Sequence, residues 1–439
     1  MSTDEFDLVI SAGRVIDPST GIDEHLDVGI AGDRIAALTA SPFAERAKKV
    51  IDAKGCLVVP GLVDLHTHIF AGGSYWGVDP APVAWRTGVT TWVDAGSAGV
   101  YNLPTFEDAV ARQRPLGVCA FLNISGIGLV GQTGELAVSE HLDPALCAAT
   151  ISGHRDLLVG VKCRIDHRST AGTGLDALHC STRAAREAGV PLMVHIGQGP
   201  TALADILAAL DSGDIVTHCT TGQSMSLVDE DGRVRASVWD ARARGVLFDV
   251  GHGSGAFSFA VAEALLQEGF APDTISSDLH QLSVVGPAFD LPTTMSKFLA
   301  LGLPLADVVA AATWRPAKAI GREHDCGVIA QGRRADVAVL RLRHDEIRLY
   351  DTYIQERLSS DWLECEATVV GGVVLPPVVA DRPASWIALS PAQQRLVDET
   401  AEVADRRPWA TRFTARDDFV AREIAGPPAF ARRGDLDGR

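Results

Sequence analysis

The sequence predicts an α/β protein: a (β/α)8 TIM barrel with a small β-sandwich domain formed by the N- and C-terminal segments. Two observations support this fold class. Between residues 60 and 322, eight short apolar runs alternate with alanine-rich stretches of helical periodicity, which is typical of βα units around a parallel sheet. Before and after this region, alternating apolar runs are separated by turn residues, as in small β domains.

The first predicted domain combines residues 1–59 with residues 323–377. Gly, Asp and Pro residues interrupt both segments at short intervals, and Gly371-Gly372 predicts a hairpin turn in the second. Because the two segments flank the barrel, we expect them to pair in one domain. The strands of this domain are predicted at residues 6–15, 25–38, 49–59, 327–340 and 367–375.

The barrel domain is predicted over residues 60–322. Its strands should be the short apolar runs, and its helices the longer stretches in which apolar residues recur every three or four positions. The strands are predicted at residues 62–66, 89–94, 118–124, 157–164, 192–196, 215–218, 246–250 and 274–278. Helices are predicted at residues 143–153, 176–188, 202–210, 259–268 and 305–314.

Residues 378–439 are predicted to be a C-terminal extension. Ser390-Pro391-Ala392-Gln393 has the composition of a helix start, with Ser at the N-cap, Pro at N1 and Gln at N3. One charged helix should follow. The tail beyond Pro408 is rich in Arg, Asp, Pro and Gly and is expected to be loosely held.

Composition limits the environment and the partners. The net charge of −17 argues against a nucleic-acid partner, because phosphate binding requires a basic face. No apolar run approaches the ~20 residues that span a bilayer, and the acidic start, Met1 to Asp7, lacks the basic region of a secretory signal. Eight cysteines without CxxC spacing favour reduced thiols. We therefore expect a cytoplasmic protein that binds neither nucleic acid nor membrane.

Chemically active side chains lie at the C-terminal ends of the predicted barrel strands, where barrel proteins build their sites. His66 and His68 are two residues apart at the end of an apolar run, so both imidazoles should point the same way. A single histidine at a strand end is more often a hydrogen-bonded core residue. Several at matching ends favour a metal site, with Zn²⁺ preferred and Mn²⁺, Fe²⁺ or Co²⁺ also suited. The predicted ligands are His66, His68, Lys162, His195, His218 and Asp278.

Lys162 is the unusual member of this set, because an ammonium repels a cation. Its apolar strand should bury the stem and lower the pKa of the amine. A neutral amine adds CO₂ to form a carbamate, an anionic donor that can bridge two metal ions. The alternative is a lysine paired with Asp166 or Asp278.

The run VPGLVDLHTH at residues 59–68, the strand lysine, the two later histidines and Ser277-Asp278 together resemble the amidohydrolase superfamily over residues 5–375. The resemblance implies two divalent metal ions. His66, His68 and Asp278 would hold one ion and His195 and His218 the other, with carboxylated Lys162 and a hydroxide shared between them. Asp278 would take the proton of the hydroxide and pass it to the leaving group. Homo-oligomers are common in the superfamily, so a homo-oligomer is expected.

Within the superfamily, the runs at residues 90–99, 160–164, 251–257 and 276–280 are similar to a dihydroorotase-like group of deacetylases. Members of that group resemble enzymes acting on N-acetyl amino acids or acetylated 2-hydroxy acids. The expected function is therefore hydrolysis of an amide or ester bond in a small carboxylate-bearing substrate. A cyclic amidase of the dihydroorotase or hydantoinase type is the alternative; a mononuclear deaminase and a non-catalytic homologue are further ones.

Four residues are predicted to contact the substrate. Arg164 is two residues beyond Lys162 and would pair with a carboxylate, unless it pairs with Asp166 instead. His280, two residues after Asp278, would donate a hydrogen bond to a carbonyl or carboxylate, unless it is an ordinary loop histidine. Gly253 lies in the loop at 251–255, where backbone N–H groups can approach a ligand, and Tyr75 would form part of the pocket wall beside Trp76.

Overall fold

The computed structural model describes residues 6–378 and, beyond them, positions 395, 398, 399 and 403. Most of the predicted C-terminal extension, 378–439, therefore lies outside the described residues, including its predicted helix start and tail. The four isolated positions are helical, and Val403 is buried within the main hydrophobic cluster.

The described chain contains strands at both ends and alternating strands and helices between them. The strands are β1 (Leu8–Asp17), β2 (Ile22–Ala31), β3 (Arg34–Thr39), β4 (Val50–Asp52), β5 (Leu57–Pro60), β6 (Leu62–Thr67), β7 (Val89–Ala95), β8 (Gly117–Asn123), β9 (Leu158–Ile165), β10 (Leu192–Ile196), β11 (Ile215–Thr217), β12 (Leu247–Asp249), β13 (Val337–Arg343), β14 (Ile347–Tyr350), β15 (Glu356–Ser359), β16 (Trp362–Val370) and β17 (Val373–Val374). The α-helices are α1 (Ala81–Ala84), α2 (Leu103–Ala111), α3 (Pro144–Gly153), α4 (His167–Thr170), α5 (Leu175–Ala188), α6 (Leu203–Ala208), α7 (Ala236–Ala243), α8 (Phe259–Gln267), α9 (Leu291–Ala300), α10 (Leu305–Ala312) and α11 (Trp314–Ala319).

Strands β6 to β12 form one parallel sheet in which each strand pairs with the next along the chain. Their bounds differ from the predicted ones by at most one residue. The predicted eighth strand, 274–278, is not a regular strand. It makes two isolated parallel bridges, Asp249 to Thr274 on the β12 side and Thr67 to Leu279 on the β6 side. This segment therefore links the two edges of the sheet, in an architecture of TIM-barrel type.

Side-chain alternation along the barrel strands separates their two faces. On β10, Val194 and Ile196 belong to the cluster that also contains residues of α5, whereas Met193 belongs to a separate cluster. His195 is two residues from Met193 and shares its face, as the period of two requires. The helices begin where the sequence provides caps: the side chain of Asp143 accepts from Leu146 N at α3, and that of Ser258 from Val261 N at α8.

The N- and C-terminal strands belong to one mixed eight-stranded sheet, which we call the accessory sheet. Its order is β17-β16-β13-β5-β1-β2-β3, with β4 paired to β1, and β5 from the first segment pairs antiparallel with β13 from the second. Gly371 and Gly372 have φ of 53° and 78° and form the predicted hairpin turn between β16 and β17. The two segments thus pair as expected, but the predicted sandwich is not confirmed.

In the part of the chain that the structure describes, no helix has the length and apolar character needed to cross a membrane.

Candidate metal centre

The six predicted ligands meet at the end of the barrel where the parallel strands terminate. His66 is the penultimate residue of β6 and His68 directly follows that strand, Lys162 lies within β9, and His195 lies within β10. His218 directly follows β11, and Asp278 lies in the segment that links β12 to β6. His195 is partly exposed, whereas the other five side chains are buried. The strands therefore bring together residues that are more than 200 positions apart in the chain.

Three of these side chains form one compact group. Asp278 Oδ1 is 3.4 Å from His66 Nε2 and 3.3 Å from His68 Nε2. One ligand atom from each of the three residues lies within 4.8 Å of the others. Lys162 Nζ is 3.3 Å from His66 Nε2, so the amine adjoins this group.

The other two histidines form a second group beside the first. His218 Nε2 and His195 Nδ1 are 2.7 Å apart. The rings of His66 and His218 have centroids 5.1 Å apart, so the two groups are neighbours. Two clusters of nitrogen and oxygen donors thus lie side by side, with Lys162 adjoining His66.

The backbone is strained at two of these positions. His218 has a φ of 70° and Asp278 a φ of 46°, in the left-handed region that L-residues with a Cβ rarely occupy. Such conformations cost about 1–3 kcal/mol and are concentrated at functional sites. Both side chains lie at the shared centre.

The residues fit a divalent cation. Asp278 Oδ1 is buried and has no hydrogen-bond partner among the described residues, although it faces two imidazole nitrogens. A buried acceptor without a partner is costly, and a cation bound by oxygen and imidazole nitrogen removes that cost. The donor set is one that Zn²⁺ and related ions prefer.

Hydrogen bonds behind the histidines orient their rings. Thr217 Oγ1 donates to Asp249 Oδ2 at 2.7 Å, so it accepts from His66 Nδ1, also at 2.7 Å. His218 Nδ1 donates to the carbonyl of Gly251 at 2.6 Å. In both histidines the proton is therefore on Nδ1, and the lone pair of Nε2 faces the centre.

Burial governs the protonation of the centre. It lowers the pKa of Lys162 to about 7 and that of His68 to about 3, and it lowers the pKa of His66, His195 and His218 well below the usual value. Burial also raises the pKa of Asp278 to about 6, because a carboxylate loses hydration there. The interior thus favours neutral imidazoles and a neutral amine.

Asp278 is fixed by its neighbours on both sides. Asp64, two residues before His66, accepts from Ser277 N at 2.9 Å and from Ser277 Oγ at 2.5 Å. Gly253 has a φ of 57°, and a Cβ at this position would lie 2.3 Å from Asp278 Oδ2. The N–H of Gly253 donates to Ser277 O at 3.0 Å. A neighbouring chain segment therefore uses this N–H, and the glycine leaves room for the Asp278 carboxylate. The substrate contact expected of Gly253 stays a prediction.

A cavity opens above the centre. Besides the candidate ligands, its wall contains aromatic, cationic and amide groups: Trp76, Arg164, Arg168, Gln223 and His280. Tyr75 is not among the lining residues; its ring packs edge-on against Trp76 with centroids 5.1 Å apart. The adjacent Trp76 therefore provides the aromatic wall of this cavity, and a substrate contact of Tyr75 stays a prediction.

Two predicted substrate residues do line this cavity. Arg164 makes a buried fork to Glu135, with Nε and Nη2 each 2.7 Å from a carboxylate oxygen. Asp166, the alternative partner, accepts from Arg168 Nε at 3.3 Å. His280 Nδ1 accepts from the N–H groups of Leu282 and Ser283, at 3.2 and 3.3 Å, so its Nε2 carries the proton in the neutral ring. That Nε2 is 3.5 Å from Ser254 Oγ.

The sequence profile of the amidohydrolase family matches residues 57–375, which is more than half of the chain. The chain belongs to the amidohydrolase family. It is therefore a hydrolase that acts on carbon–nitrogen or ester bonds of small molecules.

Relatives of this amidohydrolase are named for different activities. A deacetylase of Agrobacterium fabrum is 36% identical over 74% of this chain and 81% of its own length. A crystal structure of an adenine deaminase is 30% identical, with a TM-score of 0.78 over 84% of this chain and 99% of its own. A crystal structure of a dihydroorotase is 33% identical, with a TM-score of 0.77 over 84% and 98%.

Some residues of the amidohydrolase site were not found from the sequence. Asp64 could have been, because it shares a strand with His66 at a spacing of two. Thr217, Asp249 and Glu135 act across strands or loops, and no local pattern marks them.

Proposed function

We propose that this amidohydrolase is a binuclear metal-dependent hydrolase that cleaves an amide or ester bond of a small carboxylate-bearing substrate. The substrate would be an N-acyl amino acid or an acyloxy acid, as for a deacetylase. The observation that supports this most directly is the buried, unpartnered Oδ1 of Asp278 beside His66 and His68, with the His195–His218 pair adjoining.

In this proposal the two donor groups hold two divalent ions. His66, His68 and Asp278 would hold one, His195 and His218 the other, with Zn²⁺ the preferred metal. When bound, the ions supply Lewis-acid polarisation of a carbonyl and lower the pKa of a bound water. Substrate binding and proton transfer are assigned to side chains of the protein.

Lys162 would bridge the ions as a carbamate. Its amine adds CO₂ and releases one proton, which converts a neutral nitrogen into an anionic oxygen donor. Burial and the proximity of Nζ to His66 support this assignment, since an ammonium at this position would oppose cation binding. Burial lowers the pKa of Lys162 to about 7, so the neutral amine that reacts with CO₂ is accessible.

The remaining residues would bind the substrate and move one proton. Asp278 would accept a proton from the attacking water and deliver it to the leaving group. The Nε2–H of His280 would donate to a carbonyl or carboxylate oxygen of the substrate. Arg164, in the wall of the same cavity, would attract the carboxylate, with Trp76 covering the apolar part of the substrate.

A cyclic amidase is the second candidate. It is favoured by the similarity to the dihydroorotase structure, whose TM-score of 0.77 is close to the 0.78 of the adenine deaminase structure. Deacetylase activity is the preferred hypothesis because the deacetylase relative has a sequence identity of 36% to this chain, against 33% for the dihydroorotase. A mononuclear deaminase does not account for a buried lysine next to the histidines.

One experiment separates these activities. Protein purified without an affinity tag is analysed for metal, and the same preparation is tested for hydrolysis of N-acyl amino acids, acyloxy acids and cyclic imides and for ammonia release from purines. We expect about two metal ions per chain and turnover of one of the first two classes. Turnover confined to purines or cyclic imides, or a full-length protein that binds no Zn²⁺ or Mn²⁺, would exclude the proposal.

A further inference from the structure

A second buried lysine lies outside the metal centre. Lys297 on α9 is fully buried, and its Nζ is 2.6 Å from His252 Nε2 and 2.9 Å from the carbonyl oxygen of Pro287. His252 is also fully buried and stacks on Phe257, with centroids 4.5 Å apart and an interplanar angle of 13°. Neither Lys297 nor His252 lines the cavity over the centre.

The hydrogen bonds of this pair have a defined direction. His252 Nδ1 is 2.8 Å from the carbonyl oxygen of Gly253, which can only accept, so the ring proton is on Nδ1. His252 Nε2 therefore accepts from Lys297. The amine thus fixes the imidazole, and the imidazole in turn fixes the backbone at Gly253.

On one side this chain of bonds reaches the Asp278 carboxylate. Gly253 packs so closely against Asp278 that a Cβ would lie 2.3 Å from Oδ2. The N–H of Gly253 also donates to Ser277, the residue before Asp278. A shift of Gly253 would therefore change the space available to that carboxylate.

On the other side Lys297 holds the loop that follows Asp278. Pro287, which accepts from Lys297, directly follows a turn in which Gly286 N donates to Ser283 O at 3.1 Å. Ser283 Oγ lies 2.9 Å from the carbonyl oxygen of Asp278 and 2.9 Å from His280 N. One amine thus ties together the two loops that enclose Asp278.

We propose that Lys297 is a positioning residue for Asp278, acting through His252 and Gly253 on one side and through Pro287 on the other. This inference rests on the proposed function, in which Asp278 is both ligand and proton carrier. Burying an amine costs free energy, and an apolar side chain of similar size would fill the same space at lower cost. A role in holding the two loops accounts for the amine at this site.

The test is Lys297→Met, which keeps an unbranched side chain, one atom shorter, and removes both hydrogen bonds. We expect kcat and the affinity for Zn²⁺, measured by competition with a chelator, each to fall about 10- to 100-fold, as for other residues that orient metal ligands. KM should change by less than about twofold, because Lys297 does not reach the cavity.

Two further variants separate positioning from general stability. Ser296→Ala removes a buried hydrogen bond from Leu363 N to the adjacent residue of α9, with no link to Asp278, and should lower the melting temperature without changing kcat. His252→Phe keeps the stacking on Phe257 but cuts the connection to Gly253, and should reduce kcat and Zn²⁺ affinity in the same direction as Lys297→Met. If Lys297→Met does not fold, His252→Phe decides.

The inference is overturned if Lys297→Met, or His252→Phe in its place, retains wild-type kcat per folded molecule and wild-type Zn²⁺ affinity while only the melting temperature falls. If the wild-type protein hydrolyses none of the substrates tested, the proposed function fails. The comparison of Zn²⁺ affinities then decides the positioning role on its own.

Discussion

Gly253 and Asp278 are in direct contact: the space in which a Cβ of residue 253 would lie is occupied by the carboxylate of Asp278, 2.3 Å away from Oδ2. Gly253→Ala should therefore displace the carboxylate and reduce kcat by about 100-fold, since misplacement by ~1 Å has that effect on catalytic groups. Steady-state kinetics on the substrate identified by the screen would measure this.

The matched control is Gly189→Ala. Gly189 has a similar φ of 64°, but nothing lies within 4 Å of its Cβ position. This variant should lose about 1 kcal/mol of stability from backbone strain and keep its kcat. Equal kcat values for the two variants would show that the contact with Asp278 has no catalytic consequence.

Lys162→Ala should abolish activity if the lysine carries an anionic bridge. Acetate or propionate should partly restore turnover in the variant, because a small carboxylate can enter the space left by the side chain and supply the missing oxygen donor. The exposed Lys318→Ala serves as the control and should behave as wild type. Full activity of metal-replete Lys162→Ala would refute the carbamate.

Thr217→Val should weaken metal binding by about 10- to 100-fold. The hydroxyl donates to the Asp249 carboxylate and accepts from His66 Nδ1, and so it keeps the proton of that ring on Nδ1. Thr274→Val is a close control: it removes a hydrogen bond to the same carboxylate, 2.7 Å long, without touching His66. Titration of the metal-free protein with Zn²⁺ would compare them. Equal affinities in the two variants would mean that the ring is oriented by other contacts.

Arg164 and Glu135 form a buried pair, so Arg164→Met should leave a carboxylate without its partner and destabilise the fold by about 3–5 kcal/mol. The double variant Arg164→Met, Glu135→Gln should recover most of that loss, as measured by urea unfolding. A double variant no more stable than Arg164→Met would indicate that the loss has another origin.

The same double variant tests substrate binding. If Arg164 binds the substrate carboxylate, KM for the acid should rise by about 10-fold or more, in line with a charge-assisted hydrogen bond. KM for the corresponding primary amide should change little. An unchanged KM for the acid would show that Arg164 stabilises the fold and does not bind the substrate carboxylate.

Removal of metal should destabilise the protein. Ions that bind only the folded state raise the free energy of unfolding, and the increase grows with the logarithm of the ratio of ion concentration to Kd. At an ion concentration of 1,000 times Kd the increase is about 4 kcal/mol. The melting temperature should fall after chelation and rise again with Zn²⁺ in a concentration-dependent manner. In a His66→Ala, His195→Ala double variant, added Zn²⁺ should no longer raise it.

The barrel strands and the candidate ligands were predictable because both depend on local patterns. A period of two placed His66 beside His68, and a short apolar run located β10 around His195. The eighth strand was less predictable, since two isolated bridges, and no continuous ladder, connect residues 274–279 to the edges of the sheet.

The contacts that tune the site were not predictable. Glu135 pairs with Arg164 from a loop 29 residues away, and Lys297 reaches His252 from 45 residues away. Such pairs depend on how loops pack after the strands have assembled. A single sequence carries no local signal for them, nor for which of the adjacent Tyr75 and Trp76 lines the cavity.

The pairing of β5 with β13 has a consequence for biosynthesis. Strand β5 leads through Gly61 into β6 and its histidines, yet its antiparallel neighbour is residues 337–340 of β13. Because a chain leaves the ribosome N-terminal end first, all six candidate ligands emerge while this edge of β5 is still open. The accessory sheet can therefore be completed only after the barrel residues have been synthesised. A nascent chain that stalls before residue 337 exposes the unpaired edge of β5 next to the strand that carries His66.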